Sequence, residues 1–295
     1  MNSLQSRVQL FAAIEGGSIY WSNEIATLGS DAVLEKILDN GYREEKNSIG
    51  YIAKVIRSYN SNQLLVEIED AGADFITPDS KNWPPCLNDL VAPPIGVIVK
   101  GTLNTSNKVS IVGTRNPTSY GIRIASEFAA GFADREWTVI SGGAYGVDTA
   151  AHKGALAGEG ITYAVLASGV LVNYPAANDR LFSEISESGA LISEVMPSVR
   201  AKPERFLSRN RLIAALSLGT IVVEAAFRSG SLRTARDAAE IYRTVMAIPG
   251  PITSPTSDGC HRLIAERCAE IVTSANDAIE LMSPLAGTLS SDESR

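Results

Sequence analysis

Apolar residues along the first third of the chain recur at helical spacing. Ser30-Asp31 stands before the run Ala32-Val33-Leu34-Glu35-Lys36-Ile37-Leu38, and Asn40-Gly41 closes it. This order predicts a helix with a side-chain cap at its start and a left-handed stop at its end. Residues 64–71 predict another helix, so residues 1–72 are expected to form a small helical domain. Pro78, Pro84, Pro85, Pro93 and Pro94 then punctuate a stretch that should be extended and linker-like. Ile95-Gly96-Val97-Ile98-Val99 reads as a short strand.

From Val109 the pattern becomes regular. Short β-branched runs (109–112, 138–141, 162–166, 190–193, 220–223 and 244–248) alternate with amphipathic stretches (120–133, 149–157, 181–188, 209–218 and 232–242). Buried strands alternating with helices predict a parallel sheet covered on both faces. The expected architecture is α/β: an extended Rossmann-like fold with a mostly parallel sheet over residues 73–285, preceded by the small helical domain. Residues 286–295 are polar and expected to be a disordered tail. Ligands of such sheets bind at the carboxyl ends of the strands.

Composition changes this picture little. With 45% hydrophobic and 20% charged residues the chain reads as an ordinary globular protein. It has no signal-peptide pattern and no run long enough to span a bilayer, so a cytoplasmic protein without membrane insertion is expected. Cys86, Cys260 and Cys268 lack metal-ligand or disulfide spacing and are expected to be small buried hydrophobes.

Charge is more informative. The net charge is −7, yet residues 200–252 hold 9 basic and 4 acidic side chains while every other segment is net negative. A local basic segment on an acidic chain points to a focused anion site.

Three strand-to-helix turns carry candidate chemistry. In Gly113-Thr114-Arg115, glycine admits close backbone approach, the threonine hydroxyl can donate and arginine can fork onto a phosphate. Ser141-Gly142-Gly143-Ala144-Tyr145-Gly146-Val147-Asp148 resembles a phosphate cradle at a helix N-terminus. It is not the dinucleotide fingerprint, and no Walker lysine follows. Asp148 could cap the next helix, and His152 lies one turn inside it. The third turn is Ser229-Gly230-Ser231-Leu232-Arg233-Thr234. Upstream, Arg205-Phe206-Leu207-Ser208-Arg209-Asn210-Arg211 joins three arginines to an aromatic, a set that can hold phosphates and stack a base. These arginines are expected at the start of their helix. No nucleophile–base pair, zinc motif or carboxylate set is present, so no catalytic residue, metal or cofactor is expected.

In order and spacing these motifs, together with Tyr120-Gly121, Tyr174-Pro175, Asn178, Val223-Glu224-Ala225 and Ile248-Pro249-Gly250, resemble the DNA-processing protein A (DprA/Smf) family. The resemblance covers about residues 74–282. It implies a SAM-like N-terminal domain and a non-enzymatic binder of single-stranded DNA. Such a protein would dimerise, protect DNA in natural transformation or recombination and help load RecA recombinase. The resemblance places Gly113, Thr114, Arg115, Ser141, Gly142 and Gly143 in the DNA pocket. Ala144, His152, Arg209, Asn210, Arg211, Ser229, Gly230 and Ser231 are candidates for its walls. Ala176 and Ala177 stand where many relatives carry a lysine, and Gly259-Cys260-His261-Arg262 replaces a common Gly-x-Asn. A C-terminal winged-helix domain is not expected. An alternative is a nucleotide-binding or phosphoribohydrolase-type protein on the related fold with Glu224 near the sugar. That family's Pro-Gly-Gly-x-Gly-Thr turn is absent.

Overall fold

The computed structural model describes residues 3–42 and 49–283. Five helices come first: α1 (Ser3–Ala13), α2 (Ile19–Leu28), α3 (Ser30–Leu38), α4 (Ile49–Ser58) and α5 (Ser61–Asp70). Ser30 opens α3 rather than capping it. The cap position falls to Gly29, whose φ of 82° an L side chain rarely adopts. Asn40, at φ 55°, supplies the left-handed stop. Leu10, Trp21, Val33, Ile37, Ile52 and Ile56 form the core of this helical unit.

The unit is not sealed. Val8, Phe11, Leu64 and Ile68 pack in one cluster with Ile98, Ala164 and Leu191 of the sheet. The boundary near residue 72 therefore separates types of secondary structure that share a core.

The sheet has nine strands among the described residues: β1 (Asp74–Ile76), β2 (Val97–Gly101), β3 (Lys108–Val112), β4 (Thr138–Ser141), β5 (Thr162–Leu166), β6 (Ala190–Ser193), β7 (Gly219–Val222), β8 (Thr244–Ala247) and β9 (Glu270–Ile271). Their order is β1-β2-β6-β5-β4-β3-β7-β8-β9. The run from β6 to β9 is parallel, while β2 pairs antiparallel with both β1 and β6.

The intervening helices are α6 (Ser119–Ala133), α7 (Val147–Ala157), α8 (Asp179–Ser188), α9 (Pro203–Ala215), α10 (Gly230–Glu240), α11 (Asp258–Ala265) and α12 (Ala275–Met282). Alternate strand residues choose the face. Val109, Ile111, Val139 and Ile221 meet Phe128 and Phe132 of α6, Ala151 of α7 and Ala278 of α12. Val112, Ile140, Val165 and Val222 meet Leu212 of α9, Leu232 of α10 and Leu263 of α11. The period-2 alternation of each strand thus covers both faces of the sheet.

Three expectations need correction. The proline-rich stretch is not a free linker: Trp83, Leu87 and Leu90 join the core under α9 and α10. Helix α9 begins at Pro203, six residues before Arg209, because extended Lys202 precedes a proline at the first helical position. Of the cysteines, only Cys260 is buried, Cys86 is partly so, and Cys268 is exposed. The tail expected at 286–295 lies outside the described residues. Among those residues no helix is long and apolar enough to cross a membrane.

The connections fix where a ligand can enter. From β3 the chain runs through α6 to β4 on one side, and from β7 through α10 to β8 on the other. β3 and β7 are direct neighbours, with Val112 opposite Val222. Their carboxyl ends diverge into loops that leave in opposite directions, which opens a crevice at this switch point.

Candidate nucleic-acid interface

A cleft of about 550 Å³ occupies that crevice, with Val112 and Gly113 at its floor, α9 along one wall and the start of α10 on the other. The loops after β3 and β7 are tied together. The Thr114 N–H donates to the Glu224 carbonyl at 2.7 Å. The Glu224 carboxylate accepts from the Thr118 N–H at 2.8 Å, the Thr118 hydroxyl at 2.7 Å and the Thr256 hydroxyl at 3.1 Å. Glu224 is 2% exposed and turned toward the start of α6. It is a strut between loops and has no free face for a sugar.

This bracing leaves Arg115 exposed at the mouth of the cleft. Its guanidinium lies 4.9 Å from the centroid of Phe206, and Phe206 meets Tyr174 edge-on at 5.4 Å. Tyr174 is 51% exposed. A cation and two rings therefore line one lip.

The glycine-rich turn behaves differently from the cradle its composition suggests. Ser141 is buried and donates to the Ile111 carbonyl at 2.6 Å. Gly142 is wedged between Arg209 and Asp148, and a Cβ there would overlap both. Gly143 accepts from the Asn178 amide at 3.1 Å. Gly146, at φ 84°, tucks beneath the Thr114 carbonyl, where a side chain would collide. Of the proposed contact residues in this turn only Ala144 lines the cleft, joined by Asp148.

His152 is fully buried, with Nδ1 2.7 Å from the Thr162 hydroxyl and Nε2 3.2 Å from the Gly142 carbonyl. A carbonyl only accepts, so Nε2 carries the proton. Burial pushes the imidazole down to about 4, so the ring is neutral, and Nδ1 shares the single Thr162 hydroxyl proton with the Val139 carbonyl, which is also 2.7 Å from that hydroxyl. His152 supports the turn from below and does not reach the cleft.

The arginines of α9 divide. Arg209 lines the cleft but is largely buried, and donates to the Val165 carbonyl at 2.5 Å. Burial lowers its guanidinium to about 10, and nearby Asp148 opposes that shift. Asn210 lines the cleft and donates to the Gly230 carbonyl at 3.3 Å. Arg211, about 200° further round the helix from Arg209, faces away and grips Glu194 at 2.5 and 2.6 Å. The structure does not bring Arg211 to the cleft. The sequence places these residues side by side, but helical geometry sends them to opposite sides.

On the other wall Ser229 caps α10, accepting from the Ser231 N–H at 3.3 Å. Ser229, Gly230 and Ser231 all line the cleft. The Gly230 N–H and the dipole of α10 favour an anion there.

The basic segment is less bare than its composition suggests. Lys202 and Arg205 pair with Glu15, Arg211 with Glu194, Arg233 with Asp237 and Arg243 with Asp89. Positive potential at the cleft thus rests on Arg115, Arg209 and the start of α10. Phe206, the aromatic expected to stack a base, lines the cleft, and Tyr174, Leu207 and Asp148 line it without having been among the site candidates.

The family model for DNA recombination-mediator protein A matches residues 74–283. A putative DNA processing protein DprA of Mycobacterium tuberculosis is 42% identical over 261 residues, which cover 82% of this chain and 65% of that protein. The chain therefore spans less than two thirds of the length of that relative. The X-ray structure of DNA processing protein A from Streptococcus pneumoniae superposes with a TM-score of 0.81 at 32% identity, covering 92% of this chain and 95% of the other. A structure of DNA processing protein A from Helicobacter pylori, described by its single-stranded DNA binding mode, superposes with a TM-score of 0.64 at 29% identity over 70% of this chain and 94% of that one.

Proposed function

Because the chain belongs to the DNA recombination-mediator protein A family, we propose that the cleft between β3 and β7 holds single-stranded DNA. The observation that carries this reading is the Arg115–Phe206–Tyr174 group on one lip, facing the start of α10 on the other. A single strand offers phosphates and unpaired base faces together, and this cleft has a partner for each. Arg115 and the Gly230 N–H at the start of α10 take phosphates. Phe206 and Tyr174 stack bases, a contact that every base can make. Arg209, held on the Val165 carbonyl at the cleft wall, contributes a field rather than a mobile contact. Gly113 and Ala144 shape the floor, Thr114 ties its loop to the Glu224 carbonyl outside the lining, and Ser141, Gly142, Gly143 and His152 hold that shape from beneath.

The binding of single-stranded DNA described for the Helicobacter pylori protein supports this reading. Membership of the family supports a wider role. The protein shields incoming single strands during transformation or recombination, works as a cytoplasmic homodimer and helps load RecA recombinase. It does so by binding alone, without a cofactor or catalytic step. The commitment of Glu224 to Thr118 and Thr256 supports binding over nucleotide hydrolysis.

Fluorescence anisotropy with a labelled oligothymidylate, titrated at several salt concentrations, tests the proposal. Binding should weaken steeply with salt, and Arg115→Ala should lower affinity about tenfold and reduce the salt slope by about one. Unchanged affinity and slope in that variant would remove Arg115 from the site.

A further inference from the structure

We propose that the strand leaves the cleft over a second stacking platform, Phe227 with Arg262, beyond the start of α10. The inference rests on the reading of the cleft as a single-stranded DNA site and extends its path.

The loop from β7 to α10 makes a turn, with the Ser229 N–H donating to the Ala226 carbonyl at 2.9 Å. Phe227 and Arg228 therefore occupy its two corners, and both are exposed. Turn corners ordinarily carry small or polar residues. Here a phenylalanine stands out 53% exposed. One face of its ring is covered by the Arg262 guanidinium at 4.6 Å. Arg262 is fixed in turn by Glu266, one turn along α11, at 2.6 Å. Arg228 makes no salt bridge among the described residues.

The pairing repeats the one on the opposite lip, where Arg115 covers Phe206. Phe227 lies two residues before Ser229, which lines the cleft, so a fully extended chain would place it within about 7 Å of that wall. Arg115, Phe206 and the start of α10 line the cleft, whereas Phe227 and Arg262 do not, so the proposed order is Arg115–Phe206, then the start of α10, then Phe227–Arg262. Ring, anion site and ring alternate as base, phosphate and base do along a single strand. Arg228 stands beside the outer ring as a phosphate contact. A short oligonucleotide would fill only the cleft, and a longer one would also reach Phe227.

The test uses the full chain and a series of labelled oligothymidylates from about 4 to about 16 nucleotides. Phe227→Ala should bind the shortest members as the unaltered protein does and lose about 5- to 100-fold on the longest. Phe227→Trp should keep the gain with length, and Arg262→Ala should lose part of it. Arg115→Ala should weaken binding at every length. Equal binding of Phe227→Ala and the unaltered protein at all lengths would overturn the exit path while leaving the cleft intact. Loss at the shortest length would also overturn it, because Phe227 would then belong to the cleft itself. An Arg115→Ala variant that binds normally would instead overturn the reading on which the path rests.

Discussion

Both donors of Thr118 end on one side chain: its hydroxyl reaches Glu224 Oε1 at 2.7 Å and its backbone N–H reaches Oε2 at 2.8 Å. Thr118 caps α6 and Glu224 follows β7, so this pair locks the two loops that bound the cleft. Glu224→Gln leaves one amide NH2 facing donors that it cannot serve. A lost hydrogen bond to a charged group costs about 1.5–3 kcal/mol. The unfolding midpoint in urea should fall accordingly, and neither protein should release free base from nucleoside monophosphates. Base release that depends on Glu224 would restore the hydrolase alternative.

Gly142 is the narrowest point beneath the floor. A methyl group there would overlap both the Arg209 guanidinium and the Asp148 carboxylate. Gly142→Ala should cost about 1–3 kcal/mol through overpacking, and it should also displace Arg209 from the Val165 carbonyl. Thermal unfolding and oligonucleotide affinity should decline together. A variant with normal stability would show that the buried arginine moves aside freely.

Much of this architecture was legible in the sequence. The short β-branched runs Val109 to Val112 and Thr138 to Ser141 marked strands because both faces of the sheet are buried. Residues 113–115 and 229–231 marked strand ends because turns need their chemistry. β1 and β9, with three and two residues, are too short to show any period. The start of α9 was missed because its first turn, Pro203-Glu204-Arg205-Phe206, is polar and its apolar run begins only at Leu212. The fate of the basic segment was not readable at all. Arg205 meets Glu15 across 190 residues of sequence, and no local pattern reveals such a partner. For the same reason composition overstated the positive charge left for a ligand.

Arg211 separates structural from binding arginines. Its side chain and that of Glu194 are each 11% exposed. Arg211→Met leaves the Glu194 carboxylate buried without its partner, which typically costs about 3–5 kcal/mol. Oligonucleotide affinity of the folded fraction should stay within about twofold of the unaltered protein, since the change is smaller than the cost of one phosphate contact. Arg115→Ala should show the reverse pattern, with normal stability and weak binding. A specific loss of affinity in Arg211→Met would return that residue to the site.

His152 gives the fold a pH dependence of known sign. Burial holds its imidazole near 4, whereas in the unfolded chain it titrates near about 6.5. The unfolded state therefore binds the proton first as pH falls. Stability from the neutral ring is complete above the unfolded value and is lost progressively as pH drops toward the folded one. Between about pH 7.5 and 4.5 the loss should be about 2–3 kcal/mol. Burial raises Asp148 and Glu194, and those groups act in the opposite direction, so the total curve mixes both signs. His152→Gln isolates the histidine contribution because the carboxylates remain in both proteins. Urea unfolding across this range should show the two stability curves converging by that amount as pH falls. Parallel curves would mean that the ring takes up its proton at the same pH in the folded and unfolded chains, with the Thr162 hydroxyl donating to the Val139 carbonyl, 2.7 Å away, and accepting from Nδ1.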